Sequence, residues 1–363
     1  MWKVEHWSAH RTRRTNIFTS STTPLPTMKS ITVGINGFGR IGRTLFRLLL
    51  NHPNIKVVAI NDLANAETLA HLLKYDSIHG VLNKEVSYKD NKILVDGRKI
   101  PVLNHNHPKE IDWSSHKVDI VIESTGKFKT REELEFHIEN GAKKVILSVP
   151  PIDESIKMVV LGVNEGIINN EDQIISNASC TTNNAAPMIK VINELCGIEQ
   201  AYITTIHSYT SDQSLHDSPH RDLRRSRAAG QSIIPTTTGA AKALTSIFPE
   251  LSDVIGGCGI RVPVPNGSLT DITFNVIKET SIEEINATFK KQAENKLKGI
   301  LNYTEDPIVS IDINNSCYSC TFDSLMTSVI GKMVKIIGWY DNETGYCSRI
   351  IDLIALLIKK KYV

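Results

Sequence analysis

The stretch ITVGINGFGRIGRTLFRLLLNHPNIKVVAIND, residues 31 to 62, constrains the fold more than any other part of this chain. A β-rich apolar run leads into Gly37, Gly39 and Gly42 in GxGxxG spacing. The glycines open a helical pattern, and a second β-rich run ends in Asn61 and Asp62. A bare GxGxxG is a weak signal, but a strand before it, a helix after it and an acidic residue about 20 positions on make a dinucleotide site. Gly37 permits the tight turn, Gly39 lets backbone approach a pyrophosphate, and Gly42 lets helix and strand pack closely. The unpaired N–H groups of the helix start face the phosphates, which brings Phe38, Arg40 and Ile41 into the candidate site. Asp62 is placed to accept hydrogen bonds from an adenosine ribose and to repel a 2′-phosphate, which favours NAD over NADP.

The pattern continues in βαβα order through KVVAIND and AETLAHLLKY, as expected of a parallel sheet covered by helices. SYKDNKILVDGRKIPVLN reads as short antiparallel strands joined by Asp-Asn and Asp-Gly turns. VDIVIESTG, a helix over REELEFHIENGA, KKVILSVP and MVVLGVN then resume the alternation up to about residue 178. Beyond Cys180 long β-rich stretches dominate: AYITTIHSYT, CGIRVPVPNGSLTDITFNVI, VSIDIN and MVKIIGWYD. The expected fold is therefore α/β, a Rossmann-type doubly wound parallel sheet, with a second α+β domain built on a mixed, largely antiparallel sheet. Two domains also suit 363 residues, because single cores stop growing near 250–300 residues. The expected division is 1–27 as a leader or extension, 28–178 as the NAD-binding domain completed by the C-terminal helix 345–363, and 179–344 as the catalytic domain.

The leader holds Lys3, Arg11, Arg13 and Arg14 against Glu5, so of the formal charge of +2 it carries +3 and the rest −1. A near-neutral body gives no field for nucleic acid. Basic, Ser/Thr-rich and almost free of acid, the leader has the composition of a transit peptide. Met28, however, begins a sequence that reads at once as a strand, which makes the leader read instead as a start-codon extension or tail. The six cysteines are not spaced as a secreted disulfide framework, and a reducing, cytoplasmic compartment suits them. Cys317 and Cys320 form a lone CxxC with no second pair to complete a zinc site, so no metal is expected. No run of about 18 apolar residues predicts a membrane span.

In SNASCTTNN the polar residues fall in the first turn of a helix that continues through AAPMIKVINELC. There they can satisfy unpaired N–H groups. Cys180 at that N-terminus meets the positive end of the helix dipole, which favours its thiolate. A nucleophile needs a base, and His207 lies near the end of a predicted strand in TTIHSYTSDQ, followed by Thr210 and Asp212. HRDLRRSRAAGQSIIPTTTGAA places Arg221, Arg224, Arg225 and Arg227, with Thr236, Thr237 and Thr238, around the start of another helix. Guanidinium groups and hydroxyls at a helix start make a phosphate-binding set.

Taken in order, INGFGRIGR, SNASCTTN, HSYTSDQ, DLRRSRAA, IPTTTGAAKAL, RVPVPNGSLTD and WYDNETGY resemble the glyceraldehyde-3-phosphate dehydrogenase family from about Met28 to the C-terminus. The resemblance implies a homotetrameric NAD-dependent enzyme of glycolysis or gluconeogenesis that oxidises glyceraldehyde 3-phosphate and couples this to inorganic phosphate. It implies Cys180 as the nucleophile, carrying first a thiohemiacetal and then a thioester, and His207 as its base. It assigns Ser179, Thr238, Gly239 and Arg225 to inorganic phosphate and Thr210 and Arg261 to the substrate phosphate. Thr181 and Asp212 join these anion sites, and Thr125, Asn342 and Tyr346 join the cofactor site.

The chain departs from the family's pattern in places. Asn184 stands where many relatives have a second cysteine, so no disulfide forms one turn from Cys180. Thr344 replaces a tryptophan, and Ser218 replaces the leucine before Pro219, which weakens the exclusion of NADP. The nearest rival activity is erythrose-4-phosphate dehydrogenase; SYT after the histidine and TTTG at the second anion site favour the three-carbon substrate. A non-catalytic NAD-binding adaptor would be expected to lose Cys180, His207 or an anion-site arginine, and all are present.

Overall fold

The structure, a computed structural model, describes residues 30–363; the leader and the Met28 start of the first predicted strand lie outside the described residues. The first sheet has nine strands: β1 (Ile31–Asn36), β2 (Ile55–Asn61), β3 (Val86–Lys89), β4 (Lys92–Val95), β5 (Arg98–Leu103), β6 (Ile120–Glu123), β7 (Lys144–Leu147), β8 (Lys157–Met158) and β9 (Ile174–Ser176). Their order is β3-β4-β5-β2-β1-β6-β7-β9-β8. Strands β3, β4 and β5 pair antiparallel, as their Asp-Asn and Asp-Gly turns predict, and the rest pair parallel. Strand β1 lies between β2 and β6, so the chain leaves it on one side and later returns on the other. Ligands of open α/β sheets bind outside the strand ends at such a switch point.

Both faces of this sheet are covered. On one, helices α1 (Arg40–Leu49) and α2 (Ala66–Lys74) pack with the β1 and β2 side chains. On the other, Trp113, Val121, Leu134 and Val145 form a smaller cluster, to which Leu134 is contributed by α3 (Arg131–Glu139). Burial on both sides is why β6 reads as the continuous apolar run IVI before Glu123 rather than as an alternation.

The second sheet holds β10 (Ile198–Ser208), β11 (Ile234–Thr236), β12 (Ile255–Val262), β13 (Ser268–Val276), β14 (Leu301–Thr304), β15 (Cys320–Asp323), β16 (Ser328–Ile330) and β17 (Met333–Tyr340). It runs β11-β12-β10-β13-β17-β15-β14, with β16 paired to β17; only β10–β12 and β14–β15 are parallel. Helices α4 (Cys180–Cys196), α5 (Ala240–Ile247) and α6 (Ile282–Glu294) share one core with the inward side chains of β10, β13, β15 and β17. The final helix α7 (Thr344–Lys359) returns to the first sheet and lays Ile350, Leu353, Ile354 and Leu357 against α1. Their helical spacing forms one stripe, and each such side chain contributes about 1.5–3 kcal/mol when fully buried.

Two expected strands differ. VSIDIN forms a 3₁₀ turn at Ser310–Ile313, because Asp312 accepts a hydrogen bond from the backbone N–H of Val309 at 2.9 Å and closes the turn. In MVVLGVN only Met158 joins a strand; Asn164 accepts from the Val160 N–H and donates to the Met158 carbonyl, folding the segment back on itself.

Candidate active site

The chain passes from the first sheet to the second through Ser176–Cys180, and the candidate nucleophile is the first residue of α4. Ser179 caps that helix: its hydroxyl accepts from the Thr182 N–H at 3.2 Å. Asn183, one turn in, donates to the carbonyls of Asn177 and Ser179. These bonds fix the strand-to-helix turn on which the thiol sits.

Strand parity delivers the partner. Along β10, Ala201, Ile203, Thr205 and His207 share the inward face, because side chains alternate with period two. The face that packs α4 therefore presents His207 to Cys180, with Nε2 3.4 Å from Sγ. The Nδ1 atom of His207 lies 2.7 Å from the Ser208 carbonyl: the tautomer that donates there leaves Nε2 free to accept the thiol proton, whereas the tautomer that accepts at Nδ1 from Arg261 carries its hydrogen on Nε2. Arg261 is opposite His207 in the β10–β12 register; its Nη1 lies 2.6 Å from Nδ1 and donates to the Ser208 carbonyl at 2.9 Å. The Tyr340 ring stands edge-on to His207, with its hydroxyl 2.9 Å from Thr181 Oγ1 and 3.0 Å from Thr205 Oγ1.

The electrostatics correct one expectation. Position at a helix N-terminus predicts a lowered thiol pKa, but burial pushes Cys180 up, against the opposing Arg261 charge and hydrogen bonds from Thr181. Burial and then Arg261 hold His207 down at about 3. Both shifts favour the neutral forms, and formation of the thiolate requires the proton to move along the Sγ–Nε2 line.

A second cluster lies beside the first. Arg225 donates to Asp212 Oδ2 at 2.5 Å, to Thr236 Oγ1 at 2.9 Å and to the Thr237 carbonyl at 3.1 Å. Asp212 is thus a counterion of Arg225, and a carboxylate in that place opposes a phosphate rather than binding it. Thr238 Oγ1 accepts from the Ala240 N–H, and Gly239 begins α5 with no side-chain cap. Thr210 contributes its carbonyl to a turn with Gln213. Thr181 is buried with its hydroxyl on Tyr340 and its backbone N–H toward the Cys180 sulfur.

At the switch point, Gly37 has φ +93°, and a Cβ there would meet the Thr125 nitrogen at 2.7 Å. A Cβ on Gly42 would meet the Gly37 carbonyl oxygen at 2.2 Å. Asp62 Oδ2 accepts from the Phe38 N–H at 2.7 Å, and the Phe38 ring is core packing against Phe46. Arg40 points away from the loop into ion pairs with Asp76 and Glu343, so Arg40 and Ile41 offer their backbone to a ligand. Asn342 Oδ1 accepts from Ser208 and Ser268, and the buried Tyr346 donates to the Ala178 carbonyl at 3.2 Å. Gly39 caps α1 without a side-chain bond, the first turn holds no acid, and nothing stands within 4 Å of an added Cβ. An uncapped, acid-free helix start with room beside it and a carboxylate at the next strand end suits a dinucleotide.

Sequence reasoning missed Tyr340, Thr205 and Ser208. The signal for Tyr340 was its parity on β17 with the buried Val334 and Ile336. Of the departures, Asn184 is buried with its amide 3.3 Å from the Ser319 and Trp339 carbonyls, and Thr344 is buried as the first residue of α7.

Residues 31–131 match the family model of the glyceraldehyde 3-phosphate dehydrogenase NAD binding domain, and residues 179–342 match that of its C-terminal domain. The chain is 53% identical over 333 residues to a glyceraldehyde-3-phosphate dehydrogenase of Geobacillus stearothermophilus, covering 91% of this chain and 99% of that one. Identity to the Thermotoga maritima enzyme of the same name is 52% over 330 residues, 90% of this chain and 99% of the other. To glyceraldehyde-3-phosphate dehydrogenase 2 of Streptomyces avermitilis it is 54% over 327 residues, 89% and 97% of the two chains.

Proposed function

Because this chain belongs to the glyceraldehyde-3-phosphate dehydrogenase family, we propose that Cys180 is the nucleophile and His207 the base of an NAD-dependent oxidative phosphorylation of glyceraldehyde 3-phosphate. The supporting observation is the 3.4 Å approach of Sγ to Nε2 beside the half-buried guanidinium of Arg261. His207 takes the thiol proton, the Cys180 sulfur attacks the aldehyde carbon, and the proton passes to the new hydroxyl of the thiohemiacetal. When bound, NAD supplies a hydride acceptor. His207 withdraws the hydroxyl proton as the thiohemiacetal is oxidised, leaving a thioester on Cys180. Inorganic phosphate then attacks the thioester carbon and releases 1,3-bisphosphoglycerate and the Cys180 thiolate.

Arg261, with Thr210, holds the substrate phosphate in this reading, and Arg225, with Ser179, Thr181, Thr238 and Gly239, holds the inorganic phosphate. Asn342 and Tyr346 border the nicotinamide. Asp62 and the Gly37–Gly42 loop, with Thr125, take the adenosine and pyrophosphate. The domains divide at residue 178, with α7 belonging to the first. A homotetramer is the assembly we propose, because Leu215, Leu223 and Ile233 in the arginine-rich segment are 70–82% exposed and suit burial against a second copy. The cytoplasm is the proposed compartment, since all six cysteines are unpaired; among the described residues no helix is long and apolar enough to cross a membrane.

The test is the initial rate of NAD or NADP reduction with glyceraldehyde 3-phosphate or erythrose 4-phosphate, with and without inorganic phosphate, beside Cys180→Ser. Phosphate-dependent NAD reduction with the three-carbon aldehyde, lost in Cys180→Ser, is expected. A preference for erythrose 4-phosphate would move the substrate assignment, and full activity in Cys180→Ser would end the mechanism. Light scattering that gives a monomer at working concentration would end the tetramer.

A further inference from the structure

We propose that Glu123 is a positioning residue for the dinucleotide, tying together the strand ends that present Gly37, Asp62 and Thr125. The inference rests on the assignment of those residues to the cofactor above. Glu123 is the last residue of β6 and is fully buried. In register it stands beside Asn36, the last residue of β1, which in turn stands beside Asn61, the last of β2. Three buried polar side chains at the ends of three apolar strands are costly to keep unless each is fully bonded.

They are bonded into one chain. Glu123 Oε1 accepts from the Thr125 N–H at 2.9 Å and from the Thr125 hydroxyl. Its Oε2 accepts from Asn36 Nδ2 at 2.5 Å and faces His137 Nε2 at 3.2 Å. Asn36 Oδ1 accepts from Asn61 Nδ2 at 2.8 Å, and Asn61 also binds both backbone groups of His105. Behind Glu123, Trp113 Nε1 donates to His137 Nδ1 at 2.9 Å.

The donor pattern admits one arrangement. An indole N–H can only donate, so His137 Nδ1 accepts and its Nε2 carries the hydrogen toward Glu123. Asn36 cannot flip its amide, because its oxygen is held by Asn61. Thr125 offers a backbone N–H. Donors therefore converge on both oxygens of Glu123, and only a carboxylate accepts at both. An amide in its place puts an NH₂ group against either the Thr125 N–H or the Asn36 and His137 donors, and that end opens. What opens is the seam on which Gly37 presses the loop after β6, where Ser124 Oγ donates to the Gly37 carbonyl at 2.7 Å.

The experiment is calorimetric titration of the cofactor-free enzyme with NAD, comparing wild type, Glu123→Gln and Asp62→Ala. Each protein's melting temperature and the rate at which iodoacetamide alkylates Cys180 without NAD are measured alongside. Glu123→Gln is expected to weaken NAD binding roughly tenfold while leaving cofactor-free alkylation within about twofold, a split that a general loss of structure does not give. An NAD affinity unchanged in Glu123→Gln but weakened in Asp62→Ala overturns the role of Glu123 and leaves the cofactor site in place. Affinity unchanged in both overturns the site reading itself. Should Glu123→Gln fail to fold, Asn36→Ala removes the bonds of Asn36 to Glu123 and to Asn61 while leaving Glu123 on Thr125; NAD affinity unchanged there overturns the proposal equally.

Discussion

Nη1 of Arg261 lies 2.6 Å from Nδ1 of His207, the ring whose other nitrogen faces the Cys180 thiol at 3.4 Å. One guanidinium therefore acts on the base while standing where we place an incoming phosphate. Next to a cation the ring resists protonation, and an anion that engages Arg261 relieves that resistance. With Arg261 assigned to the substrate phosphate as proposed, the base is expected to strengthen when substrate binds.

Arg261→Gln is expected to raise the pKa of His207 from about 3 toward the ordinary histidine range, because burial remains but the charge is gone. The KM for glyceraldehyde 3-phosphate is expected to rise by an order of magnitude or more, since a charge-assisted bond to phosphate is lost. Nitrogen NMR of the ring and steady-state rates read the two effects; a pKa that stays put would remove Arg261 as the cause.

Acid stability follows from the same ring. His207 is held at about 3, whereas an exposed histidine titrates near 6.5. Between those values the unfolded chain binds a proton that the folded chain does not, so this contribution is complete above pH ~6.5 and declines as pH falls toward ~3. In His207→Gln, urea midpoints across that window should fall less steeply with acid than in the wild type. Equal slopes would contradict the buried neutral ring.

Gly42→Ala should damage both fold and cofactor site, because its Cβ would stand 2.2 Å from the Gly37 carbonyl oxygen. That atom is backbone and cannot rotate away. A loss of about 1–3 kcal/mol, as for other overpacked sites, is expected in denaturant unfolding, with NAD binding weakened more than tenfold. Gly39→Ala, whose Cβ meets nothing within 4 Å, should keep the stability.

Tyr340→Phe removes the hydroxyl between Thr181 and Thr205 and leaves two buried threonine hydroxyls a partner short. A cost of about 1–2 kcal/mol is expected. The ring edge against His207 is retained, so kcat should fall by less than about tenfold. A loss as deep as that of Cys180→Ser would make the hydroxyl part of the chemistry.

Most of the first sheet was legible because its signals are local: GxGxxG with flanking strand and helix, tight turns at Asp-Asn and Asp-Gly, and apolar runs for strands buried on both faces. The VSIDIN segment misled because its alternation is that of a strand, while one Asp312 bond to the Val309 N–H was enough to close a turn. Asp212 and Arg40 misled differently. Each lies in the right segment, but Asp212 pairs with Arg225 and Arg40 with Asp76 and Glu343, and sequence proximity says nothing about which charge finds which.

By itself the sequence determined the α/β class, the glycine turn at the cofactor site and the pairing in principle of Cys180 with His207, because residue type and spacing fix backbone freedom and strand parity. Tertiary structure alone decided the electrostatic setting of that pair. The pKa of a thiol or an imidazole depends on how much water is excluded and which charges are left beside it. Here burial pushes Cys180 up and His207 down, and Arg261 is brought against the ring from a strand more than fifty residues away in the chain. The carboxylate of Glu123 was likewise invisible as a keystone, since the donors that surround it come from strands, loops and a helix that meet only in the folded chain.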